Sequence, residues 1–109
     1  MPRLVNLDAP ATLRAVNTAL RALGFHSEQL ELVRGQGYYY VAGTDTDILG
    51  GIERGLYGMG ARLNAQTTRV WVREVLTHMQ SYPVWADEEH PRVAARLATA
   101  MRELGAWSA

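Results

Sequence analysis

The sequence predicts an α+β domain in which two main helices pack on one face of a three-stranded antiparallel sheet, with a weak glycine-rich helix or loop inserted between strands 2 and 3. Three observations lead to this fold class. Apolar residues recur at helical spacing near both ends of the chain, two apolar runs flank a Gly-Gln-Gly turn within 30–42, and aliphatic residues alternate with arginine and tryptophan within 67–75. Because the chain has 109 residues, 48% of them hydrophobic and 20% charged, we expect a single globular domain over 1–109.

The first helix is predicted over 9–23, with Asp8 as its N-cap. Gly24 can adopt the left-handed conformation that ends many helices, and Phe25 would then fold back on the last turn. The apolar stripe that defines this helix consists of Leu13, Val16, Leu20 and Leu23. The polar residues that we expect to face solvent are Arg14, Asn17, Thr18 and Arg21.

Residues 30–42 predict a β-hairpin, because turn residues separate two runs of strand-forming residues. With a two-residue loop, which we favour, the face toward the helix consists of Leu30, Leu32, Tyr39 and Val41, and the outer face of Glu31, Val33, Tyr38 and Tyr40. A three-residue loop would shift the register, turn Tyr38 and Tyr40 inward and expose Tyr39 instead. Since three consecutive tyrosines cannot all enter one core, the hairpin is a candidate contact surface.

The glycine-rich segment 44–61 is ambiguous. An apolar residue recurs every four positions, at Ile48, Ile52 and Leu56, as on a helical face. Each glycine in the segment, however, weakens a helix by up to about 1 kcal/mol relative to alanine. The segment contains neither GxxxxGK(S/T) nor a GxGxxG that follows a strand, the two glycine-rich motifs that bind phosphate groups. We therefore expect a weak helix or a loop here.

The third strand is predicted within 67–75, where Val70 and Val72 alternate with Arg69, Trp71 and Arg73. One face of this strand would be aliphatic and the other an Arg-Trp-Arg stripe. Two interpretations of the stripe remain open. Arginine can stack on tryptophan simply to cover an exposed ring, or the stripe can extend the outward tyrosines as a binding surface if this strand pairs with the hairpin.

The last helix is predicted over 88–104, with Asp87 as its cap and Pro91 in the first turn. Trp107 is expected to pin the C-terminal end by packing, since a terminal tail would otherwise fray. The apolar stripe of this helix consists of Val93, Leu97, Met101 and Leu104.

The composition excludes several kinds of chemistry. No cysteine is present, so disulfides and thiolate metal sites are ruled out, and no catalytic serine or histidine motif occurs. The carboxylates of 87–90 stand at the start of the predicted helix, where they interact favourably with the positive end of its dipole, so we predict no metal site there. Because the catalytic motifs are missing, we also predict no cofactor and no enzymatic activity. No apolar run is long enough to cross a membrane and no signal peptide is evident, which predicts a cytoplasmic location and no membrane partner.

The charge balance bears on the partner. Eleven basic residues, all of them arginine, balance eleven acidic residues. Because nonspecific nucleic-acid binders generally need an excess of basic residues, this balance favours a protein partner over nucleic acid.

Several segments taken in order resemble a group of known proteins. A short amphipathic helix ending in ALGF, then ELVRGQGYYYVAG, then TTRVWVREV resembles small uncharacterised proteins carried by phages, prophages and plasmids of GC-rich bacteria. The resemblance covers about the first three quarters of the chain; residues 48–60 look like an insertion, and the tail from Asp87 has no counterpart. Small phage proteins of this sort include inhibitors of host defence such as anti-CRISPR proteins. The resemblance implies such a role by type and assigns no functional residue.

The predicted function is non-enzymatic protein binding, as an inhibitor of a defence complex in the cytoplasm of the host bacterium. Interface hot spots are enriched in aromatic and arginine side chains. The predicted partner-binding residues are Tyr38, Tyr40, Arg69, Trp71 and Arg73. Two alternatives stay open. The same residues could bind nucleic acid by base stacking and phosphate contacts, or an exposed strand edge could make the protein a structural homodimer or larger homo-oligomer.

Overall fold

The computed structural model describes residues 5–43, 54–60, 62–80 and 91–107, and over these ranges the chain has an α+β fold. The elements, in chain order, are helix α1 (Leu13–Ala22), strands β1 (Glu31–Arg34), β2 (Tyr39–Ala42) and β3 (Arg54–Gly55), and helices α2 (Thr68–Gln80) and α3 (Pro91–Ala106). The α+β class and the antiparallel pairing are as predicted, but the architecture is not. Within the described ranges, three helices accompany a two-stranded hairpin, to which β3 adds only two paired residues.

The predicted third strand is wrong, because this segment forms helix α2. The apolar side chains that α2 buries recur at helical spacing; they are Trp71, Val72, Val75, Leu76 and Met79. The Thr67 hydroxyl oxygen accepts a hydrogen bond of 3.2 Å from the Val70 amide, which is the bond an N-cap residue makes. Two further amides of the first turn, those of Thr68 and Arg69, donate to carbonyls of the segment that precedes α1. The alternation of Val70 and Val72 is thus a short stretch of a helical pattern.

Helix α1 starts four residues later than predicted, at Leu13 rather than at position 9. Thr12 is its N-cap, since the Thr12 hydroxyl accepts a hydrogen bond of 3.0 Å from the Ala15 amide. The predicted end is confirmed. Gly24 has a φ of 100°, and the Phe25 amide donates to the Leu20 carbonyl over 3.0 Å, which places the Phe25 ring in the core.

The favoured hairpin register is confirmed. The Gly35 amide donates to the Tyr38 carbonyl over 2.8 Å, so the loop contains two residues, Gln36 and Gly37. Leu32 then lies opposite Val41. The side chains of the inner face are buried, and they are those of Leu30, Leu32, Tyr39 and Val41.

Helix α2 packs against both other helices, and α1 packs on β1. The Tyr39 ring of the hairpin meets the Trp71 ring edge to face, with 5.3 Å between the ring centroids. A second long-range contact joins α3 to the end of α1. The Arg96 guanidinium donates to the Gly24 carbonyl over 2.5 Å and lies 4.8 Å from the centroid of the Phe25 ring.

The predicted last helix is present as α3, whose described part starts at Pro91 and runs to Ala106. Trp107 is 2% exposed, so its predicted role as a packed C-terminal anchor is confirmed. The predicted cap at Asp87 and the sequence 87–90 lie outside the described residues, as do Ile48 and Ile52 of the glycine-rich segment. Of that segment, Leu56 is buried and precedes a 3₁₀ turn at Tyr57–Met59.

Candidate partner-binding surface

The predicted partner-binding residues do not form one surface. Tyr38 and Tyr40 lie on the outer face of the hairpin, whereas Arg69, Trp71 and Arg73 belong to α2, which packs on the inner side. The predicted continuity between the tyrosines and the Arg-Trp-Arg stripe depended on a strand at 67–75. Because this segment is helical, the continuity is absent.

Trp71 is a core residue rather than a contact residue. Its side chain is fully buried, and its indole Nε1 donates a hydrogen bond of 2.7 Å to the Leu63 carbonyl. The indole ring also packs edge to face against the Tyr39 ring. The expectation that Trp71 faces outward is therefore wrong, and its polar atom is already satisfied within the fold.

Arg69 is committed to internal hydrogen bonds. Its Nη1 and Nη2 atoms donate to the carbonyls of Leu104 and Trp107 over 2.8 and 2.7 Å, and its Nε atom lies 3.2 Å from Oδ1 of Asp8. Carbonyls at the end of a helix have no partner within the helix, and a cation there also interacts favourably with the helix dipole. Arg69 thus caps α3 and ties it to the N-terminal segment. Arg73, one turn further along α2, is exposed.

The two tyrosines form a ring pair on the outer face. Both side chains are half-buried, their ring centroids are 5.9 Å apart, and the rings are inclined by 42°. The Tyr38 ring lies over Gly35, its partner across the turn, where an added Cβ atom would come within 2.7 Å of Cζ of the ring. Val33 lies directly opposite Tyr40. We call the four outward residues Glu31, Val33, Tyr38 and Tyr40 the tyrosine face.

Asn17 was expected to face solvent, but it is buried and occupies the free edge of β1. Because Gly35 and Tyr38 form a hydrogen-bonded pair, alternation along the strands turns the backbone N–H and C=O of Leu32 away from β2. Asn17 satisfies both groups, accepting from the Leu32 amide over 2.7 Å and donating to its carbonyl over 3.0 Å. A sequence signal existed, since Leu13, Asn17 and Leu20 share the i, i+4, i+7 spacing of one helical face.

Comparisons of the chain with protein-family models, with curated proteins and with solved structures found no match. Within the described ranges, no group of three His, Asp or Glu side chains is arranged to hold a metal ion. In the same ranges no helix is both long enough and apolar enough to cross a membrane. The structure defines a small α+β domain whose hairpin carries a pair of half-buried tyrosines on its outer face.

Proposed function

We propose that this protein is a non-enzymatic protein-binding module that acts through the tyrosine face. The observation that carries the proposal is the Tyr38–Tyr40 ring pair, with 5.9 Å between centroids, on the face of the hairpin opposite the core. Tyrosines held on a strand offer a large contact area at a low cost in conformational entropy, and each adds a hydroxyl that can donate or accept. Such residues are common at interface hot spots.

The surroundings of the ring pair fit a protein partner. Val33 adds aliphatic surface beside Tyr40, and Glu31 supplies a charged margin at the other end of the face. The Glu31 carboxylate lies 3.5 Å from the Arg21 guanidinium in an exposed ion pair, which has little strength in water. An apolar and aromatic centre with a polar margin is the usual composition of a protein interface.

The nucleic-acid alternative draws less support from the same residues. The Trp71 ring is buried, and the Arg69 guanidinium is engaged by two carbonyls and a carboxylate. A nucleic-acid interface would then depend on Tyr38, Tyr40 and Arg73 in a protein of zero net charge.

As the biological role we propose inhibition of a host defence complex in the bacterial cytoplasm, by a protein encoded on a phage or another mobile element. This part of the proposal is supported by the resemblance of the helix, hairpin and 67–75 sequences to small phage and plasmid proteins. The gene should stand among other small phage genes near a helix-turn-helix regulator. A position among metabolic genes would argue against the role.

The binding proposal is tested by affinity capture from a bacterial lysate, followed by quantitative mass spectrometry. We expect the wild type to enrich a partner that a Tyr38→Ala/Tyr40→Ala variant fails to recover. The matched control is Arg102→Ala, which removes an exposed side chain of α3 and should leave recovery unchanged. Circular dichroism establishes that each variant is folded.

Two results would count against the proposal. Equal recovery by wild type and the tyrosine variant would refute the tyrosine face as the binding surface. Tight binding of single- or double-stranded oligonucleotides that weakens steeply with salt would instead support the nucleic-acid alternative.

A further inference from the structure

A groove of about 500 Å³ lies on the side of the hairpin that carries Tyr39, away from the tyrosine face. Besides Tyr39, three parts of the chain line it: the start of α1 with Thr12 and Leu13, the end of β1 with Arg34, and residues 62–64, which precede α2. The groove shares no residue with the tyrosine face. Substitutions in the groove therefore leave the tyrosine face unchanged, and the two surfaces can be tested independently.

The groove carries two arginines whose charges are not compensated. Arg34 and Arg62 are exposed, and within the described part of the chain neither guanidinium makes a hydrogen bond or an ion pair. Arg69 and Arg96, by contrast, are held by internal acceptors. The described residues that line the groove include no carboxylate.

The other side chains that line the groove add hydrogen-bond donors and aliphatic surface to the two arginines. Asn64 contributes an amide, and the Thr12 hydroxyl, whose oxygen already accepts from the Ala15 amide, keeps a proton to donate. Leu13 and Leu63 add aliphatic surface between these polar groups. The groove therefore offers positive charge, hydrogen-bond donors and apolar contact together.

This combination points to one kind of ligand. An arginine guanidinium can bind both oxygens of a carboxylate. The aliphatic walls favour a ligand that carries an apolar side chain next to that carboxylate. The groove is widely open to solvent, whereas small-molecule sites generally enclose most of their ligand. Two unpaired arginines in a protein of zero net charge are few for a nucleic acid. We propose that the groove binds an acidic segment of a partner protein, in which aspartate or glutamate carboxylates pair with Arg34 and Arg62 and an aliphatic residue packs on Leu13 and Leu63.

The proposal is tested by selecting binders to the full chain from a random peptide library. The selected peptides should be enriched in aspartate and glutamate next to aliphatic residues, and replacement of their acidic residues by the corresponding amides should abolish binding. Arg34→Gln/Arg62→Gln should weaken the binding of a selected peptide by at least about tenfold, the scale expected for loss of charge-paired contacts. In an NMR titration of the wild type, amide shifts should concentrate at Thr12, Leu13 and 62–64.

The matched control is Arg92→Gln/Arg102→Gln, which removes the same two charges from exposed positions of α3 and should keep the affinity for the peptide. Selection of no peptide, or of peptides without acidic enrichment, would overturn the proposal. So would equal losses in both double variants, because binding would then follow net charge. Displacement of the peptide by an oligonucleotide of higher affinity would overturn it in favour of a nucleic-acid groove.

Discussion

Arg69 connects three parts of the molecule that are far apart in sequence. Its guanidinium reaches the carbonyls of Leu104 and Trp107 at the end of α3 and the carboxylate of Asp8 before α1, while its backbone belongs to the first turn of α2. The guanidinium fork supplies a separate donor atom, Nε, Nη1 or Nη2, to each of the three acceptors. Arg69 is therefore central to the stability of the fold.

Replacing Arg69 tests this role. Hydrogen bonds to a charged group contribute about 1.5–3 kcal/mol each. Arg69→Ala removes the guanidinium donor from two carbonyls, but the Leu104 carbonyl still accepts from the Trp107 amide over 3.2 Å, so we expect the free energy of unfolding to fall by about 2–4 kcal/mol. Arg69→Lys should recover only part of this loss, because an ammonium group lacks the fork. Denaturant titration measures both changes. Arg73→Ala, an exposed arginine on the same helix, is the control and should change stability by less than about 0.5 kcal/mol; equal losses at the two positions would contradict the prediction.

At the residue level, the sequence was sufficient where one strong periodicity decides the orientation of a side chain. Alternation predicts that Tyr38 and Tyr40 share one face, and the two-residue loop that makes this the outer face was the favoured of two loop lengths, which the Gly35–Tyr38 hydrogen bond confirms. The sequence was insufficient for Asn17. A polar residue on an apolar stripe can be buried only where backbone groups of another element form hydrogen bonds with it. Those groups belong to Leu32, and their position is a tertiary fact.

At the level of elements, α2 shows how a short window misleads. Within 67–75, valine, threonine and tryptophan favour a strand, and two valines alternate with arginines. The helical pattern becomes visible only when Val75, Leu76 and Met79 are included with Trp71 and Val72. Tertiary burial of this longer stripe against α1 and α3 outweighs the local preference.

The helical assignment of α2 makes a prediction at its exposed position Arg73. In a helix, alanine is preferred to valine by a few tenths of a kcal/mol and to glycine by about 1 kcal/mol. We therefore expect stability to decrease in the order Arg73→Ala, Arg73→Val, Arg73→Gly, as measured by denaturant titration. In a strand, valine would be the best of the three, so a most stable Arg73→Val variant would restore the strand interpretation.

The Tyr38–Tyr40 ring pair depends on the absence of a side chain at Gly35. A methyl group at Gly35 would collide with the outer atoms of the Tyr38 ring, and such a ring can rotate away. Gly35→Ala should therefore displace Tyr38 from Tyr40 at a cost of no more than about 1–2 kcal/mol in stability. NMR cross-relaxation between the two rings should weaken. Gly58→Ala is the control, because an added Cβ atom there meets no atom of the described residues within 4 Å. Unchanged ring contacts in Gly35→Ala would contradict the structure of the tyrosine face.

At the level of the whole molecule, α2 is the element that joins the others, since it contacts α1, α3 and, through Trp71, the hairpin. Assigning this one segment to a strand therefore altered the predicted numbers of both helices and strands, while the α+β class and the hairpin itself survived. The long-range hydrogen bonds of Arg69 and Arg96 could not be predicted from sequence either. Their acceptors are backbone carbonyls at helix ends, which no side-chain pattern reveals.

The association state of the whole molecule depends on the free edge of β1. An unpaired strand edge can recruit a second copy of the chain, and this was the basis of the homo-oligomer alternative. In this fold Asn17 occupies the outward backbone groups of Leu32, so pairing through the middle of β1 would first have to break two hydrogen bonds. We expect the wild type to remain monomeric at two widely separated concentrations in light scattering.

Asn17→Ala should release this edge. It leaves a backbone donor and a backbone acceptor without partners, each costing about 1–3 kcal/mol when buried, so stability should fall and the mass from light scattering should rise with concentration. Arg14→Ala, at an exposed position of the same helix, should remain monomeric and stable. A wild type that already dimerises would show that another surface mediates association. An Asn17→Ala variant that is both stable and monomeric would show that water satisfies Leu32 as well as Asn17 does, and the protective role of Asn17 would then be refuted.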